Sequence, residues 1–96
     1  MAALTEDEIR TTLASMPGWS YAGNAIHKKF TFQSFMPAIA FVNEIAGAAE
    51  RANHHPDITI NYNEVSISLS THSEGGVTQK DSQLANTLDK IYAAGR

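Results

Sequence analysis

Histidines are the side chains in this chain best suited to chemistry near neutral pH, and three of its four histidines cluster in the second half. His54 and His55 are adjacent, and His72 follows them. Glu50 lies one helical turn before the pair and Asp81 lies beyond His72. Imidazole donates and accepts protons near neutral pH, and a neighbouring carboxylate fixes its tautomer or stabilises its charged form. These residues predict an acid-base site that needs no metal and no organic cofactor.

The segments after the histidine pair predict how the imidazoles come together. Both segments alternate apolar and polar residues, which is typical of two half-buried strands. The apolar residues of both strands fall on the same face of an antiparallel hairpin when Ile60 lies opposite Val65. The same register places Thr71 opposite His54. His72 then lies within about one residue of the histidine pair. We therefore expect the three imidazoles to line one small pocket.

Two other interpretations of the histidines are open. His54 and His55 follow a predicted helix, where imidazoles can simply bond the last free carbonyls, and Pro56 marks the exit. The second is a metal site built from the three histidines with Glu50 or Asp81. Adjacent histidine side chains usually diverge, and none has the i, i+4 spacing of helical zinc motifs. We therefore favour a site without metal.

Hydrophobic periodicity predicts three helices. The first begins near Thr5 in a capping box and ends before Pro17, and the second runs from the cap residue Ser34 to about Ala52. The apolar stripe predicted for the second helix consists of Phe35, Ile39, Val42, Ile45, Ala49 and Ala52. The third begins at the capping residue Thr78. Its apolar face consists of Leu84, Leu88 and Ile91.

Two predicted hairpins separate these helices. The first covers residues 19–32, and the second follows Pro56, with Tyr62 on the parity of the packed face. The element order is therefore helix, two strands, helix, two strands, helix. Paired strands separated by helices are typical of an α+β domain, here a four-stranded antiparallel sheet with three helices packed on one face.

Composition sets limits on the function. The chain has 96 residues, 43% hydrophobic and 18% charged, which predicts one globular domain over residues 1–96. The absence of cysteine excludes disulfides, thiolate zinc sites and a cysteine nucleophile. A net charge of -3 argues against direct binding to nucleic acid. No long apolar segment or signal peptide is evident, so we expect a cytoplasmic protein with no membrane partner.

The spacing of the candidate residues resembles the signature of a known family. Glu50, the run His54-His55-Pro56, Tyr62, His72 and Asp81 match the pattern of the pterin-4a-carbinolamine dehydratases. The resemblance implies a lyase that removes water from 4a-hydroxytetrahydropterin to give quinonoid dihydropterin. That step recycles the tetrahydropterin cofactor of aromatic amino-acid hydroxylases.

The resemblance also implies roles for the histidines. His54 and His72 correspond to the general acid/base pair, and His55 to a catalytic residue that positions the substrate. Glu50 would orient an imidazole or bind the amino group and ring nitrogens of the pterin through charge-assisted hydrogen bonds.

The remaining substrate-binding positions implied by the resemblance lie beside these residues. Pro56, which also ends the helix, is one of them, and Ser70 and Thr71 would line the pterin pocket. Asp81 either bonds an imidazole and fixes its tautomer or only caps the last helix.

Relatives of this kind are dimers or tetramers, so the resemblance implies a homo-oligomer. Some also act as dimerisation cofactors for a transcription factor. A protein-binding coactivator module is therefore the alternative function, and the apolar face of the last helix is its candidate docking surface. Core packing is the competing explanation of that face.

Overall fold

The computed structural model of this protein describes residues 2–95. It contains three helices and four strands, with a short 3₁₀ turn at His72–Glu74. In chain order the elements are α1 Glu6–Leu13, β1 Ser20–Ala22, β2 Ala25–Thr31, α2 Phe35–Ala52, β3 Asp57–Asn61, β4 Glu64–Leu69 and α3 Gln79–Ala94. The predicted α+β class and element order are confirmed.

The four strands form one antiparallel sheet in the order β1-β2-β4-β3. In the second hairpin Ile60 pairs with Val65 and Ile58 pairs with Ile67, which confirms the predicted register. The core role predicted for Tyr62 is wrong, because Tyr62 is 61% exposed. β3 ends at Asn61, and Tyr62 occupies the turn with a φ of 53°, so the alternation of faces stops before it.

The hydrophobic core lies on one face of the sheet. Val65 and Leu69 of β4 are fully buried, whereas Ser66 between them is exposed. The same core contains residues from β2 and all three helices, among them Ile9, Ile26, Phe30, Ile45, Leu84 and Leu88. The opposite face of the sheet therefore keeps its polar side chains open.

The packed face of α2 differs from the predicted stripe. Its buried residues are Ala38, Phe41, Ile45, Ala48 and Ala49. Phe35 is 45% exposed and Ala52 is also exposed, so the stripe was wrong at both ends. Apolar residues occupy most of this helix, so periodicity alone could not select the packed face. Ser34 is the N-cap residue as predicted, but its side chain makes no capping hydrogen bond.

Capping boxes begin the other two long helical segments, as predicted. The amide of Glu8 donates to Thr5 Oγ1 at 3.2 Å, and the Thr5 amide donates to Glu8 Oε1 at 2.8 Å. Thr78 and Asp81 form the equivalent box at the start of α3. Each box satisfies amides that the first helical turn would otherwise leave free.

The apolar face of α3 is part of the core. Leu84 is 3% exposed and Leu88 is 0% exposed, and Ile91 packs against the same cluster. This face is therefore unavailable as the docking surface considered from the sequence. Across residues 2–95, no helix combines the length and apolar character needed to cross a membrane.

A polar cluster joins α3 to β2 and to the turn before β1. Asp89 accepts hydrogen bonds from Trp19 Nε1 at 2.9 Å and from Lys28 Nζ at 2.8 Å. Lys28 also donates to the carbonyl of Pro17 at 3.1 Å and passes over Gly18. Gly18 has a φ of +89°, and a Cβ there would lie 2.9 Å from Lys28 Cε. The positive φ therefore favours glycine in the turn before β1, and a Cβ there would also displace the end of the Lys28 side chain.

The contribution of the Asp89 cluster to the free energy of unfolding can be measured. Asp89→Ala should lower the free energy of unfolding by about 1.5–3 kcal/mol, because the partly buried Trp19 indole loses its acceptor and the Lys28 ammonium loses its carboxylate partner. Urea denaturation measures this change. Glu6→Ala is the matched control, since it removes an exposed pair with Arg10 and should cost about 0.5 kcal/mol or less. Equal losses in the two variants would contradict the role assigned to the cluster.

Candidate active site

Asp81 is the residue around which the candidate site is built. It lies in the first turn of α3, and its side chain is fully buried. Its Oδ2 accepts hydrogen bonds from the Thr78 amide at 2.9 Å and from Thr71 Oγ1 at 2.8 Å, and its Oδ1 lies 2.5 Å from His54 Nε2. A buried carboxylate requires such partners. The two roles left open for Asp81, helix cap and imidazole partner, are therefore present together.

Two buried threonines connect this carboxylate to the loop after β4. Thr71 Oγ1 and Thr78 Oγ1 lie 2.8 Å apart, and both residues are buried. The Thr71 amide donates to the carbonyl of Gly76 at 2.9 Å, which closes the base of the loop that carries His72. The position of this loop is thus fixed relative to Asp81.

The end of α2 directs His54 towards α3. Asn53 follows the helix in the left-handed conformation, with a φ of 50°. The His54 amide donates to the carbonyl of Ala49 at 3.1 Å, while the imidazole extends to Asp81. The backbone therefore satisfies the helix end, and the helix-end interpretation does not account for the His54 side chain.

The Asp81 contact selects the tautomer of His54. An ionised carboxylate only accepts hydrogen bonds, so Nε2 carries a hydrogen and donates it to Oδ1. Nδ1 is then the nitrogen that can accept a proton. The His54 side chain is 11% exposed, so most of the ring is held within the protein. This arrangement suits a base whose orientation is fixed before a substrate binds.

His55 and Glu50 form a second pair in a different environment. His55 Nε2 lies 2.5 Å from Glu50 Oε2, and the two side chains are 59% and 76% exposed. Water screens an ion pair at such an exposed position. Glu50 therefore orients His55, and not His54, among the imidazoles considered from the sequence.

His72 lies on the open side of the sheet, beside Ser70. It begins the 3₁₀ turn and is exposed. It lines an open cavity of about 580 Å³ together with Ser70, Asp57 and His27. His54 instead lines a cavity of about 340 Å³ between α2 and α3.

The expectation that Thr71 pairs opposite His54 is wrong. Strand pairing in this hairpin ends at Asp57 and Ser68, and Thr71 forms a bridge with Gly76. The register therefore cannot be extended to His54. The expectation that the three imidazoles line one small pocket is also wrong, because His54 and His72 line different cavities. The side chains of Thr71 and His54 still meet, because both bond the Asp81 carboxylate.

The remaining predicted residues flank these groups. Pro56 is half-buried and immediately precedes β3, and Ser70 is half-buried beside His72. Within residues 2–95, no three histidine or acidic side chains are grouped so that they could hold a metal ion.

Sequence reasoning missed Thr78 as a member of this network. Its capping role with Asp81 was evident from local spacing, but its contact with Thr71 depends on the tertiary fold. His27 was also missed in the cavity of His72. Only the pairing of β2 with β4, which places His27 opposite Ser68, could have indicated it.

Curated proteins of similar sequence share one name. The chain is 49% identical over 88 residues to a protein of Picosynechococcus sp., covering 92% of this chain and 96% of that protein. It is 46% identical over 96 residues to a protein of Herpetosiphon aurantiacus, covering all of both chains. Each of these is named "Putative pterin-4-alpha-carbinolamine dehydratase".

Solved structures agree with the fold. A transcriptional coactivator/pterin dehydratase from Brucella melitensis superposes with a TM-score of 0.90 at 37% identity, covering 94% of this chain and 98% of that one. A pterin dehydratase-like protein, identified as a RuBisCO assembly factor in the alpha-carboxysome, matches with a TM-score of 0.68. At 24% identity, over 80% of this chain and 92% of that one, the second match shows the fold alone.

The family model described as pterin 4 alpha carbinolamine dehydratase matches residues 2–91, a span that contains every residue of the candidate site. Together with the relatives of nearly equal length, this match shows that the chain belongs to the pterin 4 alpha carbinolamine dehydratase family.

Proposed function

We propose that this protein is a dehydratase that converts 4a-hydroxytetrahydropterin to quinonoid dihydropterin, and that it serves the recycling of tetrahydropterin used in aromatic amino-acid hydroxylation. Family membership supports the substrate class. The observation that carries the proposal is the His54 imidazole bonded to the buried Asp81 carboxylate. This pair supplies the fixed proton acceptor that the reaction requires.

The reaction involves proton transfer without oxidation or reduction. The bond between C4a and its hydroxyl oxygen breaks, and the hydroxyl leaves as water after it receives a proton. A neighbouring ring nitrogen loses a proton, and its electron pair forms the new carbon-nitrogen double bond. One group must therefore accept a proton and another must donate one, which imidazoles accomplish near neutral pH.

We assign the base to His54. Its Nε2 is committed to Asp81, so Nδ1 is the nitrogen that takes the proton from the ring. The imidazolium that forms is then stabilised by the adjacent carboxylate. The hydrogen bonds from Thr71 Oγ1 and the Thr78 amide hold the Asp81 carboxylate in place, so Asp81 acts as a positioning residue.

We assign the acid to His72. Because it lines a different cavity from His54, one bound pterin contacts both imidazoles only if it spans the region between the two cavities. Thr71, which directly precedes His72, bonds the same Asp81 carboxylate as His54 and so connects the two histidines through the protein. In this proposal His55 and Glu50 hold the pyrimidine edge of the substrate, as neighbouring exposed groups able to donate and accept hydrogen bonds.

The remaining substrate contacts are also part of the proposal. Pro56 and Ser70 border these histidines in the sequence and the fold, and we place them against the pterin ring. No cofactor takes part in the mechanism as proposed. We place the reaction in the cytoplasm.

A homo-oligomer fits the exposed apolar surface. Phe35 and Met36 at the start of α2 are 45% and 69% exposed, and Ile60 and Tyr62 at the end of β3 are 38% and 61% exposed. Large apolar side chains at these exposures favour burial against other protein surface. We propose that further copies of this chain cover them in a dimer or tetramer.

A coactivator function is the second candidate, because one solved structure similar to this chain is titled a transcriptional coactivator/pterin dehydratase. The buried face of α3 cannot bind a partner in that case. The exposed apolar residues of α2 and β3 would have to do so. Turnover by the purified protein separates the two candidates, since a pure adaptor would show none.

Replacing His54 tests the enzyme assignment directly. His54→Ala should lower kcat by about 10²–10⁴, because the positioned base is lost. The measurement follows the spectrophotometric decay of freshly generated 4a-hydroxytetrahydropterin with and without protein, after circular dichroism has shown that the variant is folded. Glu6→Ala is the control and should lose far less, since that exposed side chain on α1 pairs only with Arg10 among the described residues. A His54→Ala rate within threefold of the unmodified protein would overturn the assignment.

The pH dependence of turnover tests the direction of proton transfer. An imidazole that acts as a base must be neutral, so the rate should fall on acidification across roughly pH 5 to 8, where imidazoles titrate. In His54→Ala this acidic decline should disappear from the residual rate. Initial rates in buffers of constant ionic strength measure both profiles. A flat profile for the unmodified protein would contradict imidazole catalysis.

A further inference from the structure

The cavity beside His54 has a lining of one charge sign. Besides His54, its polar lining consists of Arg51 and Lys80 with the neutral residues Gln83 and Thr87. No carboxylate contributes to this lining. A concave surface of this kind concentrates anions, because field lines from the cations are focused by the protein walls.

This positive lining contrasts with the rest of the chain. The protein has ten acidic and seven basic residues and a net charge of -3, yet two of the seven basic residues face this one cavity. Among residues 2–95, neither Arg51 nor Lys80 has a carboxylate within salt-bridge distance. Their charges are therefore available to a ligand.

Helix electrostatics explain one of these cations and not the other. Arg51 lies in the last turn of α2, where a positive charge interacts favourably with the helix dipole. Lys80 lies in the first turn of α3, where the same dipole disfavours a positive charge. The helix dipole therefore does not account for a lysine at this position, whereas an anion bound in the cavity would.

We propose that this cavity binds an anionic substituent of the substrate, so that the protein acts on pterins that carry a carboxylate or a phosphate on the side chain. This inference rests on the proposed function, because His54 is shared between the reaction and the cavity. With the bicyclic ring at His54, a substituent extends towards Arg51 and Lys80. The Gln83 amide adds a neutral hydrogen-bond donor at the same wall, whereas the Thr87 hydroxyl donates to the carbonyl of Gln83.

The two cations would contribute in different ways. The guanidinium of Arg51 can bind both oxygens of a carboxylate or phosphate in a fixed geometry, whereas the ammonium of Lys80 acts as a point charge. The side chains of Ala48, Ala52 and Leu84 line the remainder of the cavity and contact the apolar part of the substituent. A neutral side chain would leave both cations without a counter-ion.

Equilibrium binding of fluorescent pterins tests this inference without requiring turnover. The probes are pterin-6-carboxylate, the phosphate monoester of 6-hydroxymethylpterin, and neutral 6-hydroxymethylpterin, each titrated at low and at high salt. At least one anionic probe should bind about tenfold more tightly than the neutral probe at low salt. High salt should reduce that preference, because counter-ions screen partly exposed charges. The carboxylate and phosphate titrations distinguish the two sources of charge.

Variants assign the preference to the cavity. The double variant Arg51→Gln/Lys80→Gln should bind anionic and neutral probes with similar affinity. Lys90→Gln is the matched control, since it removes an exposed positive charge from α3, the helix that carries Lys80. This variant should keep the preference for anionic probes. Equal binding of all probes by the unmodified protein, no binding of any probe, or a preference that survives the double variant would overturn the inference.

Turnover separates this inference from the function on which it rests. If the protein dehydrates a neutral 4a-hydroxytetrahydropterin but shows no anion preference, only the inference fails. If it binds the anionic probe through Arg51 and Lys80 but dehydrates no pterin, anion binding is supported and the dehydratase proposal fails.

Discussion

The structure around the candidate site depends on one buried negative charge. Transferring a carboxylate from water into a protein interior is unfavourable unless hydrogen bonds replace its hydration. Asp81 is fully buried, and its partners come from the N-cap of α3, the residue before the 3₁₀ turn, and the end of α2. The carboxylate therefore joins the start of α3 and the preceding loop to the end of α2, which lies 27 positions earlier in the sequence. Loss of one hydrogen-bond donor would leave the buried Asp81 carboxylate incompletely bonded.

The Asp81 side chain both caps α3 and orients the imidazole proposed to act as a base. A capping box requires an acceptor side chain three residues after the cap, and Asp81 meets that requirement with Oδ2. Its Oδ1 remains to orient an imidazole. The left-handed Asn53 turns the chain at the end of α2, so that His54 can reach that oxygen. The tautomer of His54 is thus set by two helix termini that the fold needs for its own stability.

Local patterns predicted most of the fold and only part of the site. The capping boxes at Thr5 and Thr78 and the pairing of Ile60 with Val65 depend on residues close in sequence, and they were correct. The packed face of α2 was not decided by periodicity, because apolar residues surround most of that helix. The bridge from Thr71 to Gly76 is a tertiary detail that ended the strand register before His54. The sequence placed Asp81 near the histidines but left its contact with an imidazole as one of two alternatives, since no local rule joins residues 27 positions apart.

The environments of His54 and His72 suit different tasks in the proposed elimination. His54 is held by a carboxylate and is 11% exposed, so its ring orientation is fixed before the substrate arrives. His72 begins a short exposed turn, where its imidazole can exchange protons directly with water. An acid that loses a proton in every turnover must regain one from solvent before the next. An imidazole in contact with water regains it without opening the protein, whereas a buried acid would need a proton path. The Asp81 carboxylate, which stabilises an imidazolium, therefore favours His54 as the base, and the solvent contact of His72 suits the acid that water recharges.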